Sequence, residues 1–337
     1  MGITLGDPRG IGPEVVVSAL TAGAGAGRAR FVLIGPDGLI PVSGHQSLDS
    51  GATEFDGIGT WTGSGPTEAG ELSAAAIERG IELALAGAID GLVTAPISKE
   101  ALCAAGYPFP GHTEFLRDRT AVPDVTMVMA AEHTPLGGPL RLALATVHVP
   151  LRSVPDLITE ELLTRRAGIA ARALRDWWGI DRPRLAFAGL NPHASEGGLF
   201  GDEEERVFRP AVQRLVDEQE VEAFGPFPAD TVFRRCITGE VDLVVVPYHD
   251  VGLAVLKTLA PEAGINVTTG LPFPRTSPDH GTAFDIAGRG IADPRSMAAA
   301  IEACIDFCER HRGLTAVSYT HLRAHETIHA ISYAVFC

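Results

Sequence analysis

Three histidines in this chain follow short apolar runs, and that recurrence is its first chemical signal. His249 comes just after Leu243–Val246 and precedes Asp250; His193 follows Arg184–Leu190 through Asn191 and Pro192; His148 ends the run Leu140–Val147. Short runs of β-branched and small apolar residues read as strands buried on both faces. In open α/β sheets, ligands gather beyond the carboxyl ends of the strands. A single strand-end histidine is most often structural. Three in one topological setting point to a catalytic metal site, where three protein ligands leave a position open. Asp250 is placed to orient a liganding histidine or to accept a proton, and Asp230 ends a Gly-Pro loop.

A second concentration of unusual residues is Thr276–Pro294, glycine-rich and without strand periodicity. Ordered loops this long are uncommon unless they hold something; a plain structural crossover is the alternative. The stretch is similar to the nucleotide loop of isocitrate and isopropylmalate dehydrogenases, and by that analogy His280, Gly281, Asp285 and Asp293 border a dinucleotide. Lys257 and Arg275 flank Asn266 in sequence. A point charge and a fork-shaped cation suit a phosphate or carboxylate, although each alone reads as a surface charge. The opening Gly2–Glu14 reads as strand, glycine-rich turn and helix from about Pro13, without the GxGxxG spacing of a Rossmann fingerprint.

The elements that must position these residues alternate. Phe31–Gly35 and Ile89–Pro96 read as strands, and Thr126–Ala130 and Leu140–His148 as neighbouring strands joined by His133–Gly138. Helices are expected over Glu68–Ala88 with Thr67 as cap, from Ser98-Lys99, from Gly111–Glu114, over Val154–Trp178, Glu203–Glu218, Thr231–Thr238 and Pro294–His311. Residues 41–66 read as loops with short edge structure, and Phe224–Asp230 as a loop. Alternating strands and helices predict an α/β fold with much parallel sheet.

The 337 residues, 45% hydrophobic and 20% charged, suffice for two lobes. A formal charge of -15 argues against a nucleic-acid binder. No apolar stretch of ~18 residues suggests a membrane span, and no signal peptide is expected. Five cysteines without a CxxC pair fit a reduced cytoplasmic protein; Cys304 and Cys308, four apart on a helix, read as core. Residues 317–337 match neither the preceding style nor the final helix. They read as the translation of a sequencing adapter, a non-native tail that removes His321, His325 and His329 from the chemistry; an HxxxHxxxH metal helix is the rival reading.

Taken in order, Gly6–Glu14, Thr94–Lys99, Gly111–Glu114, His148–Leu151, Asn191–Gly198, Pro228–Asp230, Tyr248–Asp250 and the 264–294 region resemble the 4-hydroxythreonine-4-phosphate dehydrogenase family of pyridoxal phosphate biosynthesis, from residue 2 to about 312. The resemblance implies an isocitrate/isopropylmalate dehydrogenase-like fold of two α/β lobes around a cleft, residues 1–120 with 265–316 on the nucleotide side and 121–264 carrying the metal and the dimer contact. It implies a homodimer with a shared active site, NAD, and a divalent metal (Zn, Mg or Co) on His148, His193 and His249. Substrate contacts carry over to His112, Thr113, Lys257, Asn266 and Arg275. Asp230 and Asp250 match acidic residues of that site, and Asp250 or Lys99 is the expected proton relay. The implied reaction is oxidation of a small phosphorylated 3-hydroxy acid to the 3-oxo acid, then decarboxylation. Arg9 departs from the family's alanine, His133–Gly138 is a longer connection, and Asn191–Gly201 looks closer to the branch acting on 4-phospho-D-threonate or 4-phospho-D-erythronate. A relative acting on an aromatic dihydrodiol carboxylate, a metal-dependent hydrolase or aldolase on the same histidines, and a non-catalytic paralogue are the alternatives.

Overall fold

The computed structural model describes residues 1–39, 53–219 and 221–312; the 317–337 tail and part of the 41–66 stretch lie outside them. The strands are β1 (Gly2–Thr4), β2 (Phe31–Asp37), β3 (Thr53–Thr60), β4 (Leu92–Thr94), β5 (Thr126–Ala131), β6 (Leu140–Leu144), β7 (Arg184–Ala188), β8 (Glu222–Phe227), β9 (Leu243–Val246), β10 (Ile265–Thr269) and β11 (Arg275–Pro278). They form one 11-stranded sheet in the order β3-β2-β1-β4-β11-β10-β5-β6-β9-β7-β8. Pairing is parallel from β3 to β11 and from β6 to β8, whereas β10 is antiparallel to β11 and β5, and β5 to β6. The sheet is thus mostly parallel, with its two outer parts running in opposite directions about a mixed centre.

Helices cover both faces. They are α1 (Gly12–Thr21), α2 (Pro66–Leu85), α3 (Lys99–Ala104), α4 (His112–Thr120), α5 (Val154–Leu157), α6 (Glu160–Asp176), α7 (Arg209–Gln219), α8 (Val232–Ile237), α9 (His249–Leu259) and α10, residues 295–312. Period-two alternation decides what each strand offers each face. One face carries Ile3, Val93, Val128, Ala143, Val245, Ile265 and Val267, and a single continuous core joins it to α1, α6, α7 and α10. The opposite face carries two separate cores. Met127, Met129, Leu142 and Val244 pack under α8 and α9, and Leu92 packs with α2, α3 and α4. Between them, over β11 and β10, the sheet shows polar side chains: Arg275, Ser277, Asn266 and Thr268. That interruption of the apolar cover makes room for a site.

Several local readings change. Thr67 does not cap α2: Gly65 is its N-cap, Pro66 opens it, and no side chain caps it. Val154–Trp178 is two helices, broken at Ile158, with Thr159 capping the second through Leu162 N. Glu203–Glu218 begins with a π-helical turn, Glu204–Phe208, before α7. Residues 53–60, expected as loop with only short edge structure, form the full edge strand β3, parallel to β2. Phe224–Phe227 belongs to edge strand β8 rather than a loop, and the start of the 276–294 loop is strand β11. Cys304 and Cys308 are buried free thiols in the main core.

Candidate active site

A cavity of about 320 Å³ lies over the polar centre of the sheet, lined among others by Thr94, Asn266, Arg275, Ser277, Asp279 and Met127. Its walls come from the starts of α3 and α4, which bring Lys99, His112 and Thr113, from His148 beyond β6, and from His280 and Gly281. Of the substrate residues expected from sequence, His112, Thr113, Asn266 and Arg275 are therefore gathered in one place. The cavity sits on the sheet's face and not simply beyond strand ends, because reversed β10 passes through its floor.

Arg275 is the central surprise. Among the described residues it is the largest fully buried side chain, 1% exposed, where a lone arginine reads as a surface charge. Its guanidinium donates to Thr268 Oγ1 (2.8 Å) and Thr94 Oγ1 (2.5 Å), both neutral, and Nε has no partner. Among the described residues no carboxylate pairs with it. Burial pulls its pKa down to about 9, against weak opposition from Cys304 and Glu114. Buried charges are ordinarily paired, so this cation calls for an anion. Beside it, burial and then the Arg275 charge hold His112 well below its ordinary value, hence neutral. The sealed atoms His112 Nε2, Asn266 Oδ1 and His280 Nε2 also lack partners. Four unsatisfied polar groups around one cavity is the pattern of a ligand site.

The metal candidates divide. β6, β9 and β7 are adjacent and parallel, so their histidines emerge at one edge. His148 and His249 stand together, ring centroids 5.5 Å apart. Burial first, then Lys99 and His249, lowers the His148 pKa and favours the neutral, liganding imidazole. His249 Nδ1 lies 2.6 Å from Asp250 Oδ1, which leaves Nε2 free to ligate. Two imidazoles, each with a ring nitrogen available, are donors of the kind a divalent metal takes, but supply only part of a ligand set. His193 points elsewhere: it is exposed, with Phe200 as its ring neighbour at 6.3 Å. Among the described residues of one chain, no group of three or more His, Cys, Asp or Glu is close enough to hold a metal.

His193 opens an unusual segment. Residues 193–197 all have left-handed backbones, with φ of 53, 51, 69, 44 and 69°, and such a conformation costs about 1–2 kcal/mol for each non-glycine residue. Glu204, 3% exposed, faces this segment. Burial pushes its carboxyl up, but hydrogen bonds from Asn191 and Ser195 outweigh that and leave its pKa lowered. Sequence reading missed Glu204, inside the run Glu203–Glu205, and Asp279, although Pro278-Asp279-His280 stood within the loop already singled out.

The remaining expected residues lie at the margins. Lys257 Nζ is 3.2 Å from Asp279 Oδ2, whose pKa is raised by burial against the pull of Lys257. Asp250 is 88% exposed. Asp230 is exposed before α8, and Asp285 is exposed in the loop beyond His280; neither lines the cavity. Asp293 holds Arg295 at the start of α10. The same loop borders a second cavity of about 500 Å³ against α1, lined by Arg9, Glu14, Val17, Gly288 and Gly290 among others. Arg9 is clamped by Asp7 and lies 4.8 Å over the Phe284 ring, tying the opening turn to the loop.

The sequence profile described as pyridoxal phosphate biosynthetic protein PdxA matches residues 43–304. The chain belongs to the PdxA family. It is 41% identical over 329 residues to the 4-hydroxythreonine-4-phosphate dehydrogenase of Desulfosudis oleivorans, covering 91% of this chain and 95% of that protein. The crystal structure of the 4-hydroxythreonine-4-phosphate dehydrogenase from Klebsiella pneumoniae superposes with a TM-score of 0.77 at 38% identity, covering 91% of this chain and 97% of that one. A terephthalate 1,2-cis-dihydrodiol dehydrogenase from Burkholderia xenovorans is more distant, at TM-score 0.63, 26% identity and coverages of 90% and 97%. This PdxA-family chain is an oxidoreductase.

Proposed function

We propose that the chain oxidises a phosphorylated 3-hydroxy acid, 4-phosphooxy-L-threonine or 4-phospho-D-threonate/erythronate, to the 3-oxo acid with NAD and a divalent metal, and that decarboxylation follows. The observation that carries this is buried, carboxylate-free Arg275 among the unpartnered polar atoms of His112, Asn266 and His280. Phosphate at Arg275, with His112, Thr113 and Asn266 around it and Lys257 at the margin, supplies binding energy remote from the reacting carbon. His148, His193 and His249 would hold the metal (Zn, Mg or Co), whose chemistry is to lower the pKa of a bound hydroxyl and stabilise developing negative charge. Lys99, in the cavity wall, and Asp250, on His249, are placed to carry the hydroxyl proton; Asp230, outside the cavity within one chain, would reach the shared site from the other subunit of the homodimer. His280 and Gly281, in the wall, with Asp285 and Asp293 further along the loop, would hold the nicotinamide nucleotide, which would supply the hydride acceptor.

The site is shared between two subunits in this reading. Exposed His193, beside exposed Leu199 and Phe200, supports completion of the metal set across a homodimer. Residues 1–120 with 265–316 form the nucleotide lobe and 121–264 the metal and dimer lobe, parting near the reversed strands. Among the described residues no helix is long and apolar enough to cross a membrane; with four free cysteines among those residues, we place the enzyme in the cytoplasm. The test is NADH formation at 340 nm with a divalent metal on the three phosphorylated acids and an aromatic dihydrodiol carboxylate. Preference for the amino acid assigns cofactor biosynthesis; preference for either hydroxy acid assigns sugar-acid catabolism. Turnover of the dihydrodiol alone would displace the phosphate reading, with Arg275 taking a carboxylate instead.

A further inference from the structure

Glu204 and Ser195 are both buried, 3% exposed each, and the reaction proposed above uses neither. Glu204 Oε1 accepts from Leu190 N and Asn191 N, both at 2.7 Å. Its Oε2 accepts from Asn191 Nδ2 at 2.9 Å and from the Ser195 hydroxyl. One carboxylate thus binds the chain on both sides of His193, three and two residues before it and two residues after it. Gly189 eases the approach, since a Cβ there would stand a tight 3.1 Å from Glu204 Oε1 and from Ala194 Cα. Glu204 itself lies in a π-helical turn, a geometry frequent at functional sites.

A run of four non-glycine residues in left-handed conformation persists only when its surroundings over-determine it. Four bonds to the Glu204 side chain are part of those surroundings, one directly from the turn at Ser195 and three from Leu190 and Asn191; Asn191 also donates to Glu203 Oε2 and accepts from Ala194 N. We propose that Glu204 is the positioning residue for His193: its carboxylate, through Asn191 and Ser195, holds the strained 193–197 turn in the form that presents the imidazole outward. This inference rests on the reading of His193 as a metal ligand. Glu204 touches neither metal nor substrate in it.

The test is metal binding by the full-length protein, read by Co(II) absorption and by competition with a chromophoric chelator. Glu204→Gln keeps the size and the two backbone contacts but loses an acceptor and the charge. Groups that orient a ligand typically set metal affinity by 10–100-fold. Glu204→Gln is therefore expected to bind Co(II) about 10–100-fold more weakly with an altered visible spectrum, and to regain NADH-forming kcat at saturating metal. Ser195→Ala, which removes one tether, is expected to weaken binding in the same direction by a smaller factor. Wild-type Co(II) affinity and spectrum in folded Glu204→Gln, while His193→Ala binds weakly, would overturn the inference alone. If Glu204→Gln fails to fold, wild-type affinity in Ser195→Ala overturns it equally. Wild-type affinity in His193→Ala would remove the metal reading and this inference together.

Discussion

Replacing Arg275 by methionine should separate stability from activity. Burial pulls its pKa down to about 9, which, at about 1.4 kcal/mol per pH unit, is a net penalty on the order of 5 kcal/mol for the charged form. The bonds to Thr94 and Thr268 return roughly 1.5–3 kcal/mol each, as hydrogen bonds to a charged group. Removing the guanidinium abolishes both contributions, so they nearly cancel. Arg275→Met should change the unfolding free energy by no more than about 2 kcal/mol, in either direction, although the side chain is fully buried. Breaking a well-paired buried ion pair would instead cost about 3–5 kcal/mol. Substrate binding should suffer, because truncating one partner of a buried charge pair costs about 2–5 kcal/mol. That is a loss in kcat/KM of roughly 30-fold to several thousand-fold. Urea unfolding and initial rates of NADH formation measure the two quantities on one preparation. A variant destabilised by more than about 3 kcal/mol with unchanged kcat/KM would refute the reasoning and make Arg275 structural.

Asp250→Asn removes the carboxylate that fixes His249 Nδ1 and should weaken metal affinity by about 10–100-fold, measured by chelator competition. Gly70→Ala would set a Cβ 2.0 Å from Ala101 O, where α2 meets α3; overpacking of this kind costs about 1–3 kcal/mol, to be read from urea midpoints. Asp124 ties the start of β5 to Arg165 and Arg166 of α6. Burial pushes its pKa up, but Arg166, the Val125 N–H and Arg165 outweigh it, so the folded value lies below the ordinary 3.8. A depressed folded pKa contributes stability that is full above the unfolded value and lost as pH falls through the folded one. Stability should therefore drop below about pH 4, and Asp124→Asn should flatten that part of the profile.

The fold class was legible because burial writes itself into composition. Leu243–Val246 is apolar on both faces, and Leu140–Leu144 is so apart from Arg141; each reads as a central strand. The strands under the site were obscure for the opposite reason. Ile265–Thr269 and Arg275–Pro278 turn polar residues toward the cavity, and prolines and glycines separate them, so they resemble loops. Sheet order is a long-range property, and no local pattern reveals that β10 runs backward through the cavity floor. Arg275 shows the limit most clearly: Pro274-Arg275-Thr276 has no feature that distinguishes a buried cation from a surface one. Glu204 was hidden among four consecutive acids, Asp202–Glu205, an ordinary solvated run, and only the folded chain brings Asn191 and Ser195 to it. His148 and His249 were visible as strand-end histidines and do meet. His193 shared their setting, but a left-handed turn that no glycine announces at its start directs it away.

The most direct test of a phosphate site at Arg275 compares kcat/KM for 4-phosphooxy-L-threonine and the preferred phospho-hydroxy acid with their dephosphorylated forms, under NAD and saturating divalent metal. An anion that neutralises a buried guanidinium accounts for a preference of about 30-fold or more for the phosphorylated member of the productive pair. Equal kcat/KM for the two members would contradict the account, because the cavity's buried charge would then have no part in choosing the substrate.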